Sequence, residues 1–171
     1  VEHILATQTL VYRVARNMRI RVDGVLPRGV TAKDLVICVV HRIGAQGARG
    51  HAVEFCGSAI DGLSAEARMT LCNMTVEAGA RAALIAPDAV TDAYVTAHAP
   101  QLRGALLDEA RAWWATLRSD DGAHFDVEHV FDASRIAPFV TWGTSPDQAI
   151  AVDGGSLWQR GELAVAGESK L

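Results

Sequence analysis

Met69-Thr-Leu-Cys-Asn-Met-Thr-Val-Glu-Ala-Gly79-Ala-Arg-Ala-Ala-Leu-Ile-Ala-Pro-Asp88 changes character halfway along. Its first half reads as a helix, because residues three and four apart share a face: Met69, Cys72, Val76 and Ala80 on one side, Thr70, Asn73 and Glu77 on another. After Gly79 the pattern becomes a short apolar run, Ala82 to Ala86, stopped by Pro87-Asp88, which reads as a buried strand. A helix that passes into an apolar strand is one step of a layered α/β sheet. Asn73 and Glu77 put a carboxamide and a carboxylate one turn apart, ahead of small residues, where they are spaced to line a site. The competing role for Glu77 is a solvated pair with Arg81, worth about 0.3 to 0.5 kcal/mol.

The alternation continues upstream. Ser64 is an N-cap for the helix just described, with Glu66 in its first turn. Ser58 to Leu63 reads as a helical turn and His51 to Cys56 as a strand. Thr31 caps a helix from Ala32 to about Ile43, with Asp34 in its first turn. Met18 to Asp23 alternates with period two, a strand with one face toward solvent. Residues 1 to 13 read as a further helix. The loop Gly44 to Gly50 has the spacing G-x-x-G-x-x-G and lies between a helix and a strand, the reverse of the strand-to-helix context that a phosphate loop requires. It therefore reads as a connection with a glycine C-cap.

Downstream, Thr91 caps a short helix to about His98. A longer helix runs from about Ala105 to Leu117 with an apolar stripe of Leu106, Ala110, Trp113, Trp114 and Leu117. The two tryptophans read as core or a domain contact. His124 to Asp132 and Pro138 to Trp142 are strand candidates. Beyond Asp147 the pattern weakens, so residues 148–171 are expected to be a poorly ordered or atypical tail, with 1–147 as one α/β segment.

Composition narrows the class. The chain of 171 residues is half hydrophobic and 21% charged, with 16 basic and 20 acidic residues and a net charge of −4. That is globular composition without a basic footprint, and the scattered arginines argue against nucleic acid as a partner. No apolar run approaches the roughly 18 residues that span a bilayer, so no membrane partner is expected. Three cysteines, Cys38, Cys56 and Cys72, without a Cys-x-x-Cys pair, fit reduced thiols in the cytoplasm. Cys38, in the run Leu35 to Val40, reads as a small buried hydrophobe. The six histidines have no paired ligand spacing, so no residue is assigned to a metal.

Six segments together carry a family likeness: Val1 to Leu10, Asn17-Met-Arg-Ile, Gly29-Val-Thr-Ala-Lys-Asp34, Arg68 to Arg81, Ala86-Pro-Asp88 and Val140-Thr-Trp-Gly-Thr-Ser-Pro146. In this order they closely resemble the large subunit of 3-isopropylmalate dehydratase, within the aconitase superfamily. The resemblance implies a three-layer α/β/α domain with a mixed sheet. It also implies a hydro-lyase of leucine biosynthesis that isomerises 2- and 3-isopropylmalate by dehydration and rehydration, with a [4Fe-4S] cluster as Lewis acid and a small subunit as partner. The family's Asn-Met-x-x-Glu motif falls on Asn73 and Glu77. Glu77 would then face the reacting hydroxyl or water, and Asn73 would hydrogen-bond within the site. The family's cluster cysteines and its Gly-Asp-Ser-His-Thr stretch are absent. The expectation is accordingly an internal fragment, inactive as an isolated chain. The alternatives are a related hydro-lyase acting on homoaconitate, citraconate or a dimethylmalate, and a non-catalytic folded remnant.

Overall fold

The computed structural model describes residues 1–154. Strand β1 (Arg16–Asp23) is central, and from it the chain moves outward by helical crossovers. Helix α2 (Ala32–Ile43) leads to β2 (His51–Cys56). The short α3 (Ser58–Asp61), α4 (Ala65–Met74) and a 3-10 turn over Thr75–Ala78 lead to β3 (Ala82–Ile85). Each crossover returns the chain to the same end of the sheet, so the neighbours pair in parallel. After α5 (Ala89–His98) and α6 (Ala105–Trp114) the chain re-enters as β4 (Val127–Asp132) on the far side of β1, giving the order β3-β2-β1-β4. The resemblance implies a mixed sheet, and here the structure differs. All pairs within these four strands are parallel, and antiparallel pairing among the described residues is confined to a separate ribbon of β5 (Phe139–Thr141) and β6 (Ala149–Ala151).

The α/β architecture with a central sheet and flanking helices is as expected. Met18, Ile20 and Val22 of β1 and Val53 and Phe55 of β2 are buried together with Leu35, Val36, Val39 and Val40 of α2 and Leu71 of α4. The alternate residues form the opposite face, where Arg19 stands in register with Glu54 on one side and Glu128 on the other. Arg19 Nε donates to Glu128 Oε2 at 2.7 Å. Its guanidinium also lies 4.5 Å from the centre of the Phe125 ring, and Ser119 Oγ donates to Glu54. The connection from α6 to β4 thus runs across this polar face.

Several element ends differ from their sequence reading for local reasons. Helix α1 (Glu2–Thr7) stops well before residue 13, because Gln8 takes a left-handed conformation (φ 57°) and its N–H closes on the Ile4 carbonyl. The cap of α5 is Asp88, which accepts from the N–H groups of Val90 and Thr91, so Thr91 lies inside the helix. Helix α6 ends at Trp114, and its stripe is only partly covered: Leu106 is 56% and Trp113 62% exposed, while Ala110 and Trp114 are half-buried. His124 lies outside β4. Past Asp147, Ala149 and Ile150 are buried in the strand β6, and the rest of the supposed tail, residues 155–171, lies outside the described residues.

Helix α2 begins as read. Thr31 Oγ1 accepts from the Asp34 N–H, and Asp34 Oδ2 accepts from the Thr31 N–H and hydroxyl at 2.8 and 2.7 Å, a closed capping box. Thr31→Ala is expected to cost about 1 kcal/mol, seen as a lower urea midpoint with an unchanged slope.

Candidate functional site

The stretch from Ala65 to Asp88 does not run as one helix. After Met74 the turn tightens to 3-10 geometry, and Gly79 closes it with φ 81°. The side that meets the core is therefore Arg68, Leu71, Thr75 and Ala78, while Met69 and Val76 are 47% and 56% exposed. Asn73 stands exposed near the end of α4 and Glu77 exposed in the 3-10 turn. Neither side chain has a hydrogen-bond or ion-pair partner among the described residues. The pair Glu77–Arg81 weighed from the sequence does not form. The break in the helix turns Arg81 elsewhere, to the Arg13 carbonyl and over the Tyr12 ring at 4.9 Å.

Met74, between Asn73 and Glu77 in sequence, lines a cleft of about 230 Å³ with Lys33 and Ile37 of α2 and Thr141, Gly143, Thr144, Ser145 and Pro146. The loop is held in place at both ends. Asp34 Oδ1 accepts from the Phe139 N–H at 2.9 Å, which ties the start of β5 to the first turn of α2. Within the loop, Trp142 N–H donates to the Gln148 carbonyl at 3.1 Å and Gln148 N–H to the Ser145 carbonyl at 3.0 Å. His41 Nδ1 lies 2.9 Å from the Asp147 carbonyl oxygen. Partial burial pushes the Asp34 carboxyl up, but the hydrogen bonds from Thr31 and from the Phe139 N–H outweigh it and hold the group below its ordinary value.

Lys33 is the site residue that pattern reading passed over, although it stands in one of the six likeness segments. A signal was present. Lysine in the first turn of a helix opposes the helix dipole, which favours acidic groups there.

The three cysteines do not form a metal centre. They sit on α2, β2 and α4, and burial raises the pKa of each thiol, which favours the protonated form over the thiolate that a metal needs. Among the described residues, no three His, Cys, Asp or Glu are grouped to hold a metal ion. A [4Fe-4S] cluster does not fit the donor set present. The Gly44–Gly50 loop has likewise spent its amides: those of Gly44, Gly47, Ala48 and Arg49 donate to the carbonyls of Val40, Gly44, Ala78 and Gln46. A phosphate would find few N–H groups there. Among the described residues no helix is long and apolar enough to cross a membrane.

A parallel βαβ sheet with a cleft between α2 and a distant loop defines an α/β domain of the kind that builds small-molecule enzymes. Residues 1–162 match the family model described as the Aconitase family (aconitate hydratase), and the chain belongs to that family, within the aconitase hydro-lyase superfamily.

Proposed function

We propose that this chain is part of a 3-isopropylmalate dehydratase large subunit, the hydro-lyase that interconverts 2- and 3-isopropylmalate by loss and return of water. The observation that supports the reading is convergence. Lys33, Met74 and the Thr141–Pro146 loop come from three of the six likeness segments, far apart in sequence, and line one cleft. Asn73 adjoins Met74 at the end of α4, and Glu77 is exposed in the 3-10 turn that follows.

On this reading Glu77 moves the proton of the departing or returning water, as a carboxylate held near the reacting carbon can do. Asn73, donor and acceptor both, orients the substrate hydroxyl. In the enzyme so proposed a [4Fe-4S] cluster supplies Lewis acidity toward that hydroxyl. Because Cys38, Cys56 and Cys72 do not fit a cluster, the isolated chain is proposed to lack dehydratase activity, with the cluster ligands and the small subunit supplied from outside it. Function in the cytoplasm and in leucine biosynthesis belongs to the same proposal.

The test takes the complete gene that encodes this segment, co-expressed with its small subunit, and follows the conjugated alkene in the ultraviolet. Glu77→Gln is expected to lower kcat at least about a hundredfold, with KM within a few-fold. Undiminished turnover in the variant removes Glu77 from the chemistry. A wild-type enzyme that turns over homoaconitate, citraconate or a dimethylmalate in preference to isopropylmalate moves the assignment to that substrate.

A further inference from the structure

We infer that the cleft between α2 and the Thr141–Pro146 loop is a carboxylate subsite, with the Lys33 ammonium as counter-charge and the hydroxyls of Thr141, Thr144 and Ser145 as donors. The inference rests on the hydro-lyase reading above and extends it to a named group of the substrate.

The lining carries the argument. Lys33 is its only ionisable residue, and no carboxylate is among the others. The ammonium has no hydrogen-bond or ion-pair partner among the described residues. The nearest acid in sequence, Asp34, is already committed to the Thr31 N–H and hydroxyl and the Phe139 N–H. A cation in the first turn of α2 is placed against the dipole's preference, and such local conflicts concentrate at functional positions. Three hydroxyls beside it supply short donors for carboxylate oxygens. Ile37, Met74 and Pro146 form an apolar wall, so the cleft suits a carboxylate attached to a hydrocarbon skeleton better than a small inorganic anion.

The experiment titrates the protein with malate, a 2-hydroxydicarboxylate, and reads amide shifts by NMR. Shifts at Lys33 and Thr141 to Ser145 are expected. Lys33→Gln weakens binding about 10- to 100-fold, and Lys33→Arg restores most of it. Lys33 is exposed, so neither change disturbs the core. Unchanged affinity in Lys33→Gln overturns the subsite, as do absent loop shifts at millimolar malate or an equal response to inorganic sulfate. In the complete enzyme Lys33→Gln is expected to raise KM about tenfold while kcat stays within a factor of about two. Turnover with KM unchanged refutes the subsite and leaves the hydro-lyase reading standing. Malate binding through Lys33 without isopropylmalate turnover does the reverse.

Discussion

Arg68→Met lowers stability by about 3 kcal/mol, the expected result of stranding one partner of an internal ion pair. The Arg68 side chain is only 6% exposed and that of Asp88 25%. Two parallel hydrogen bonds join them, from Nη1 to Oδ1 at 2.6 Å and from Nη2 to Oδ2 at 2.7 Å. Nη2 also donates to the Asp61 carbonyl at 2.9 Å, so the guanidinium binds the end of α3 to the start of α5 through α4. Methionine keeps much of the volume but leaves the Asp88 carboxylate without its counter-charge. Asp88→Asn beside Arg68→Met should recover part of the loss, because the amide oxygen still caps α5.

The same pair sets an acid response. Hydrogen bonding from Arg68 holds the Asp88 carboxyl below its ordinary value of 3.8. A depressed folded-state pKa contributes stability above the unfolded value, and this is lost as pH falls from about 3.8 through the folded-state value. Urea midpoints measured across that window should fall more steeply for wild type than for Arg68→Met. Equal slopes would detach the acid sensitivity from this pair.

Gly57→Ala is expected to cost about 4 kcal/mol, near the sum of backbone strain and overpacking. Gly57 follows β2 directly at φ 108°, and an added Cβ would overlap the Val22 carbonyl oxygen of β1 and meet Asp23 Oδ1 at 2.9 Å. Main chain on both sides of the contact cannot step aside. Gly29→Ala separates the two causes: its φ is 88° but nothing lies within 4 Å, so only the conformational cost remains, about 1 kcal/mol. If both variants unfold at the same urea concentration, the close approach of β1 to Gly57 is not what demands glycine.

Elements that carry their own local chemistry were legible from the chain. Thr31 and Asp34 locate the start of α2, and the period-two pattern of Met18 to Asp23 separates the buried Met18, Ile20 and Val22 from Arg19 and Arg21. Pairing was harder to read. No local pattern tells that β4, entering after two helices, joins β1 and not β3, or that Ala149–Ala151 pairs with Phe139–Thr141 across a loop. The early end of α1 escaped for a related reason, since an amphipathic pattern persists whether or not a residue such as Gln8 turns left-handed. For the candidate site, spacing alone left Glu77 open between a site and a surface pair, and the family resemblance, through its Asn-Met-x-x-Glu motif, assigned Asn73 and Glu77. The cleft beside Met74 became visible only when α2 and the Thr141–Pro146 loop were brought together, because its lining is scattered over more than a hundred positions.

The row Glu54, Arg19, Glu128 bears on strand order. With an acidic residue on each neighbour and Arg19 the β1 residue in register with both, only the arrangement that puts β1 in the middle gives each acid an opposite charge at this level. Were β2 and β4 to pair side by side at this level, Glu54 would face Glu128, and like charges directly opposite are destabilising. A slip of one residue would instead turn Arg19 toward the apolar side and Ile20 toward water. Three partly exposed side chains, each of small energetic worth in the finished molecule, thus act during assembly as a proofreading mark that tells the correct sheet from its nearest misassembled competitors.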